Sequence, residues 1–187
     1  KNRTETTLNK AKNEMEKTLQ KLVSKEKMTK EESEAVWNRI KGTNTYENFE
    51  DVDFVIEVVA ESLDIKNATF KKLDEICKKE AILVSSTSTY SITAIAAATQ
   101  RPKQVAGMHF FLPPTKLVEI TRGYYTSDTT VEQAENIAKQ MGKVNVEVKK
   151  DSPGFIANRI YTPLFLEAFR AYEEGLASME DIDKAMT

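Results

Sequence analysis

Histidine, cysteine and tryptophan occur once each among the 187 residues, and glycine only six times. Each scarcity excludes something. The lone cysteine, Cys77, rules out an internal disulfide framework and any zinc site built on cysteines. Its setting, Leu73-Asp74-Glu75-Ile76-Cys77, predicts an inert thiol on the apolar face of a helix. The glycines, at 42, 107, 123, 142, 154 and 175, never gather into the G-x-G-x-x-G turn that holds a dinucleotide pyrophosphate on a helix N-terminus. No apolar run approaches the ~18 residues of a membrane span. The opening, Lys1-Asn2-Arg3-Thr4-Glu5-Thr6, has neither an initiator Met nor the hydrophobic core of a signal peptide. Nor is there a surplus of charge of one sign: 27 basic groups face 29 acidic ones, for a net charge of -2. That balance gives no global attraction to nucleic acid or to a membrane surface. The lysines cluster locally, which suits an anionic small molecule as well as it suits solvated helix faces. With 40% hydrophobic residues the chain can bury a real core. Its length fits one ordinary domain, or one domain and part of another. The single thiol suits a reducing compartment, the cytoplasm or alternatively the mitochondrial matrix.

The hydrophobic spacing divides the chain into elements. Residues 5–25 read as a long amphipathic helix, with Leu8, Met15, Leu19 and Leu22 on one face. Thr29 and Glu32 have the spacing of a capping box before a second helix that ends near Lys41-Gly42. Then β-branched runs begin. Strands are predicted at 52–59, 81–85, 105–111, 117–122 and 144–148, with helices at 63–79, 91–99 and 128–141 between them. Strands alternating with helices predict an α/β fold, a Rossmann-like, doubly wound parallel sheet. After the turn-rich Lys149-Lys150-Asp151-Ser152-Pro153-Gly154 only helices follow, Phe155–Gly175 and Ser178–Thr187. A boundary near residue 151 is therefore predicted, giving an α/β domain over 1–150 and the start of an all-α domain over 151–187. The latter is too short for an independent core.

The single histidine stands in Gly107-Met108-His109-Phe110-Phe111, a run that leads to the pair Pro113-Pro114, where a strand would give way to a loop. Glu119 follows in Lys116-Leu117-Val118-Glu119-Ile120, at or near the end of the next strand. A neutral imidazole can take a proton near neutral pH, and a carboxylate beside it fixes its tautomer. That is the skeleton of a general base; a packed core histidine is the plain alternative. Ser85-Ser86-Thr87-Ser88-Thr89 follows a strand and precedes a helix. Loops at the carboxyl ends of parallel strands are where open α/β sheets bind ligands, although such a loop also suits a helix cap. Glu61 follows the first strand, and Lys66 comes shortly after it. Asn158 falls in the first turns of the helix that begins the second domain, whence its amide could reach back toward a cleft. Three polar groups, Ser88, His109 and Glu119, converging on one sheet edge are harder to explain as structure than any one alone.

In this order, Ser85-Ser86-Thr87-Ser88, Gly107-Met108-His109-Phe110-Phe111, Lys116-Leu117-Val118-Glu119 and Ser152-Pro153-Gly154-Phe155-Ile156-Ala157-Asn158-Arg159 resemble the L-3-hydroxyacyl-CoA dehydrogenase family, 3-hydroxybutyryl-CoA dehydrogenases included. The tail Glu173–Asp183, Ile56–Glu61 and Gly42-Thr43 share the likeness, which covers nearly the whole chain. The resemblance implies an oxidoreductase of fatty-acid and butyrate metabolism, acting in β-oxidation or its reverse: NAD-dependent oxidation of an L-3-hydroxyacyl-CoA to the 3-oxoacyl-CoA. It implies His109 as the base, Glu119 as its orienting partner, Ser88 holding the substrate oxygen beside the nicotinamide, and Asn158 completing the site. Glu61 and Lys66 match positions that contact NAD, and Thr18 and Lys25 match positions that hold the CoA moiety. A homodimer is implied for the full-length protein. The family's leading strand and glycine-rich turn would precede Lys1, so this stretch alone is expected to hold NAD too weakly for efficient turnover. Phe111-Leu112-Pro113-Pro114-Thr115-Lys116 is two residues shorter than the family pattern; Leu112 and Ser86 stand where Asn is usual, and Tyr90 where Leu is usual. Two alternatives stay open: a non-catalytic acyl-CoA-binding paralogue, and a dehydrogenase of a free hydroxyacid.

Overall fold

The computed structural model describes residues 1–112 and 115–186. The Pro113-Pro114 pair, and the last residue of the predicted final helix, therefore lie outside the described residues. The chain forms two compact units, Lys1–Glu50 and Asp51–Thr187.

In the first unit, α1 (Glu5–Ser24) and α2 (Lys30–Arg39) each start at a capping box. At α2 the Thr29 hydroxyl accepts from the Glu32 amide while the Glu32 carboxylate accepts from the Thr29 amide, which satisfies two donors that a helix start leaves free.

The second unit is built on a five-stranded sheet in the order β1 (Phe54–Glu57), β2 (Ile82–Ser85), β3 (Val105–Phe110), β4 (Leu117–Thr121), β5 (Val144–Val148). Helices α3 (Leu63–Ile76), α4 (Ile92–Ala96) and α5 (Asp128–Gln140) link the strands, and α6 (Ala157–Glu173) and α7 (Met179–Met186) follow. β1, β2 and β3 run parallel, as do β4 and β5, but β4 runs antiparallel to β3. The wholly parallel sheet expected from the alternation of strands and helices is thus corrected at one joint. A parallel neighbour needs a crossover of a dozen or more residues; residues 111–116 are too few, so the chain turns back on itself.

The strand alternation sorts side chains to two faces. On one, Ile82, Val84, Ala106, Met108, Val118 and Ile120 pack with Val131, Ala134 and Ala138 of α5. His109 and Glu119 belong to the other face, by odd–even position. There α4 presses against Gly107, where an added Cβ would come within 2.8 Å of both Ile92 Cδ1 and Thr121 Cβ. A glycine is required by that close approach. Cys77 caps α3 and is buried. Burial pushes its thiol up, with Arg101 opposing and Asp74 reinforcing the shift, which disfavours the thiolate.

Candidate active site

Parallel strands β1, β2 and β3 end on one edge of the sheet, and from it emerge Glu61, Ser88 and His109. Register carries the fourth group there. His109 stands directly opposite Glu119 in the antiparallel β3–β4 ladder, and directly opposed residues of such a pair share a face. The imidazole Nδ1 lies 2.7 Å from Glu119 Oε2. Glu119 is in the middle of β4, not at its end as the sequence suggested, because the reversal of β4 brings its middle alongside the end of β3.

Glu119 is fully buried, and both its oxygens are engaged. Oε1 accepts from the Ile156 amide at 3.0 Å and the Ala157 amide at 2.8 Å, at the start of α6. A helix start presents free N–H groups and the positive end of the backbone dipole, both of which favour a carboxylate. An ionised carboxylate only accepts, so a neutral imidazole facing one would carry its proton on Nδ1 and leave Nε2 with its lone pair. Rings flank the imidazole: Phe111 at 4.5 Å and Phe155 at 5.7 Å between centroids.

The turn that delivers α6 is fixed at several points. Asp151 accepts from the Ser91 hydroxyl at 2.6 Å and from the Ile92 and Thr93 amides at 3.2 and 2.8 Å, which holds it on the start of α4. The Phe155 amide donates to Ser152 O at 3.0 Å, closing a turn with Pro153 and Gly154 at its centre. Gly154 has φ +75° and Phe155 φ +50°. Glycine adopts that region freely, whereas phenylalanine does so at a cost. Asn158 is the second residue of α6, half-buried, with no hydrogen bond to its side-chain amide among the described residues.

On the other flank, Lys66 and Glu61 are brought together by a third residue that sequence reasoning passed over. Lys66 is 1% exposed and reaches Glu57 at 3.2 Å and Glu61 at 3.1 Å. Lys66 therefore lies behind Glu61, with its ammonium between two carboxylates, and does not stand on the open edge. Glu57 also accepts from the Ser85 hydroxyl at 2.6 Å and from the Val59 amide. A charged residue inside a β-branched run was the available signal for it. Glu61 Oε1 accepts from the hydroxyls of Thr87 and Thr89 at 2.5 and 3.2 Å and from the Ser88 amide at 3.1 Å. Glu61 thus pins Thr87, Ser88 and Thr89 of the Ser/Thr loop, and the Ser88 hydroxyl is left unengaged among the described residues.

Burial pushes the Glu61 carboxyl up, but the hydrogen bond from Thr87, the hydrogen bond and charge of Lys66 and the Ser88 amide outweigh it. The net position is below the ordinary carboxylate range. A depressed native pKa stabilises the fold above the unfolded value, about 4.3 for a glutamate. That contribution is lost as pH falls through the native value. Glu61→Gln is expected to lower the urea midpoint at neutral pH and to converge on the parent chain as the solution is acidified. A gap that stays constant down to acid pH would contradict this account.

Thr18 and Lys25 belong to the first unit, Lys1–Glu50, and both are exposed. Thr18 donates its hydroxyl to Glu14 O at 2.8 Å, and Lys25 is the C-cap of α1. Among the described residues, no group of three or more His, Cys, Asp or Glu is arranged to hold a metal ion. Nor is any described helix long and apolar enough to cross a membrane.

Residues 1–152 match the family model described as 3-hydroxyacyl-CoA dehydrogenase, NAD binding domain, and residues 154–187 match that of the C-terminal domain of the same enzymes. The 3-hydroxybutyryl-CoA dehydrogenase of Clostridioides difficile is 43% identical over 188 aligned residues, covering 100% of this chain and 66% of that protein. A probable 3-hydroxybutyryl-CoA dehydrogenase of Bacillus subtilis is 44% identical, covering 92% of this chain and 60% of that protein. Among solved structures, the (S)-3-hydroxybutyryl-CoA dehydrogenase of Ralstonia eutropha superposes with a TM-score of 0.94 at 41% identity, covering 98% of this chain and 65% of the other. The chain thus spans 60 to 66% of the length of these two curated relatives. On the matches across both its segments, the chain belongs to the 3-hydroxyacyl-CoA dehydrogenase family.

Proposed function

We propose that this chain carries the base and the substrate-oxygen site of an NAD-dependent 3-hydroxyacyl-CoA dehydrogenase, with a short-chain L-3-hydroxyacyl-CoA such as 3-hydroxybutyryl-CoA as substrate. The observation that carries the reading is the His109–Glu119 pair: Oε1 is taken by two amides and Oε2 faces Nδ1 at 2.7 Å. Nε2 is then the atom that removes the proton from the substrate 3-hydroxyl. The Ser88 hydroxyl holds the same oxygen, and the Asn158 amide, one residue beyond the Glu119 anchor, completes the site. NAD, when bound, supplies the acceptor for the hydride that leaves C3. The unengaged Ser88 hydroxyl and the half-exposed Glu61 carboxylate, 41% accessible, fit its nicotinamide half, with Lys66 supporting Glu61 from behind. Its pyrophosphate has no glycine-rich cradle among these residues. Thr18 and Lys25 would take the CoA moiety, a cation near phosphate being favourable. We assign residues 1–150 to the dinucleotide-binding domain and 151–187 to the helical one, in line with the two family models that meet between 152 and 154. A cytoplasmic homodimer is the setting we propose for the whole protein.

The test is the chain itself with (S)-3-hydroxybutyryl-CoA, with NAD raised until titration shows it bound, to offset the weak hold expected without a glycine-rich turn. Slow appearance of NADH with the thioester, and none with free 3-hydroxybutyrate, is the expected result. Binding of both thioester and NAD without NADH formation would make this an acyl-CoA-binding chain. Turnover of the free acid would make it a hydroxyacid dehydrogenase. Either result overturns the proposal.

A further inference from the structure

Phe155 is a buried residue whose backbone is held at φ +50°, immediately before the two amides that grip Glu119. The chain could satisfy the turn with Gly154 alone, which already supplies one left-handed residue. The second left-handed residue rotates the peptide planes that follow, and so decides where the Ile156 and Ala157 N–H groups point. Both point at Glu119 Oε1, which turns Oε2 to His109 Nδ1. Among the described residues Glu119 is the only charged side chain hydrogen-bonded to His109. The tautomer of the imidazole therefore depends on a backbone angle 46 positions away.

We infer that Phe155 is a positioning residue for the His109 base, acting through its left-handed backbone and not through its ring. This rests on the reading of His109 as the base. It assigns a role to a residue that itself makes no hydrogen bond to His109 or Glu119 among the described residues.

Leucine and isoleucine separate the two contributions. They are isomers of equal apolar content, and both remove the aromatic ring. They differ in branching at Cβ, which makes isoleucine a poor occupant of positive φ. Because His109 is the single histidine, the nitrogen-15 spectrum of the imidazole in the whole chain reports which ring nitrogen carries the proton. The parent chain is expected to show a protonated Nδ1 and a bare Nε2. Phe155→Leu should keep that pattern, and Phe155→Ile should show a mixture of tautomers while its amide spectrum stays that of a folded chain. With the thioester and NAD, kcat should fall about a hundredfold in Phe155→Ile, the scale of loss for ångström misplacement of a catalytic group. KM should change little, and Phe155→Leu should stay near the parent.

Identical tautomer patterns in the two variants overturn the inference; if both lose the pattern, the ring is the determinant. Should Phe155→Ile not fold, Phe155→Gly replaces it. Glycine takes φ +50° freely, so the pattern should survive loss of the ring, and its disappearance overturns the inference. A parent chain without a protonated Nδ1 sinks the His109–Glu119 reading itself, which is a different outcome from failure at Phe155.

Discussion

Glu119→Gln is expected to leave the fold nearly as stable as the parent while abolishing most of the chemistry. A glutamine side chain has one acceptor and two donors. Its oxygen can satisfy the Ile156 and Ala157 amides in place of Oε1, and its NH₂ group then faces His109 Nδ1. Nδ1 must now accept, so the proton moves to Nε2, the atom that should be the base. Turnover should fall on the order of 10³–10⁴, the loss found when a base is held in the wrong tautomer. Glu119→Ala should lose the same turnover and also about 3 kcal/mol of stability, roughly one for each of three orphaned donors. Urea midpoints and initial rates on the two variants separate these effects. A Glu119→Gln chain that turns over within a few-fold of the parent would rule out the tautomer argument, and an alanine variant as stable as glutamine would show that water replaces the carboxylate.

Lys66→Met is expected to be among the most damaging single changes to stability, at about 3–5 kcal/mol, because it strands the Glu57 carboxylate inside the sheet without its counter-charge. The loss should not come from the lysine's own packing, since methionine fills the same channel with an apolar chain. A second change tests that. Glu57→Gln added to Lys66→Met removes the lone charge, keeps an oxygen for the Val59 amide, turns an NH₂ group to the Ser85 hydroxyl, which can accept from it, and should recover most of the loss. If the double variant is as unstable as Lys66→Met alone, charge isolation is not the cause. The Ser85–Thr89 loop should loosen in the single variant, because Glu61 loses the cation that holds its other oxygen.

Much of this architecture was legible from residue patterns. The β-branched runs marked all five strands, and the predicted capping residue Thr29 accepts the expected backbone amide. The site residues on β3 and β4 were legible because histidine is rare and a carboxylate follows at a fixed spacing. The antiparallel joint was missed although the short 111–116 connection was in plain view; alternation of strands and helices was allowed to outvote loop length. Lys66 was singled out through its nearness to Glu61 and the family likeness; that Glu57 and Glu61 both converge on its ammonium is visible only in the fold. The hold of α6 on Glu119 had no sequence signal, because its donors are backbone amides, identical at nearly every position, and they act across 37 residues. Asp151 was read as part of a linker, and its grip on α4 spans 60 residues.

The reversal of β4 makes the His109–Glu119 pairing an all-or-nothing property. In a ladder with two faces, sliding β4 by a single residue would send Glu119 into the apolar layer under α5 and bring Val118 or Ile120 to the imidazole. No intermediate register exists, so small drifts in this hairpin cannot lengthen the contact gradually.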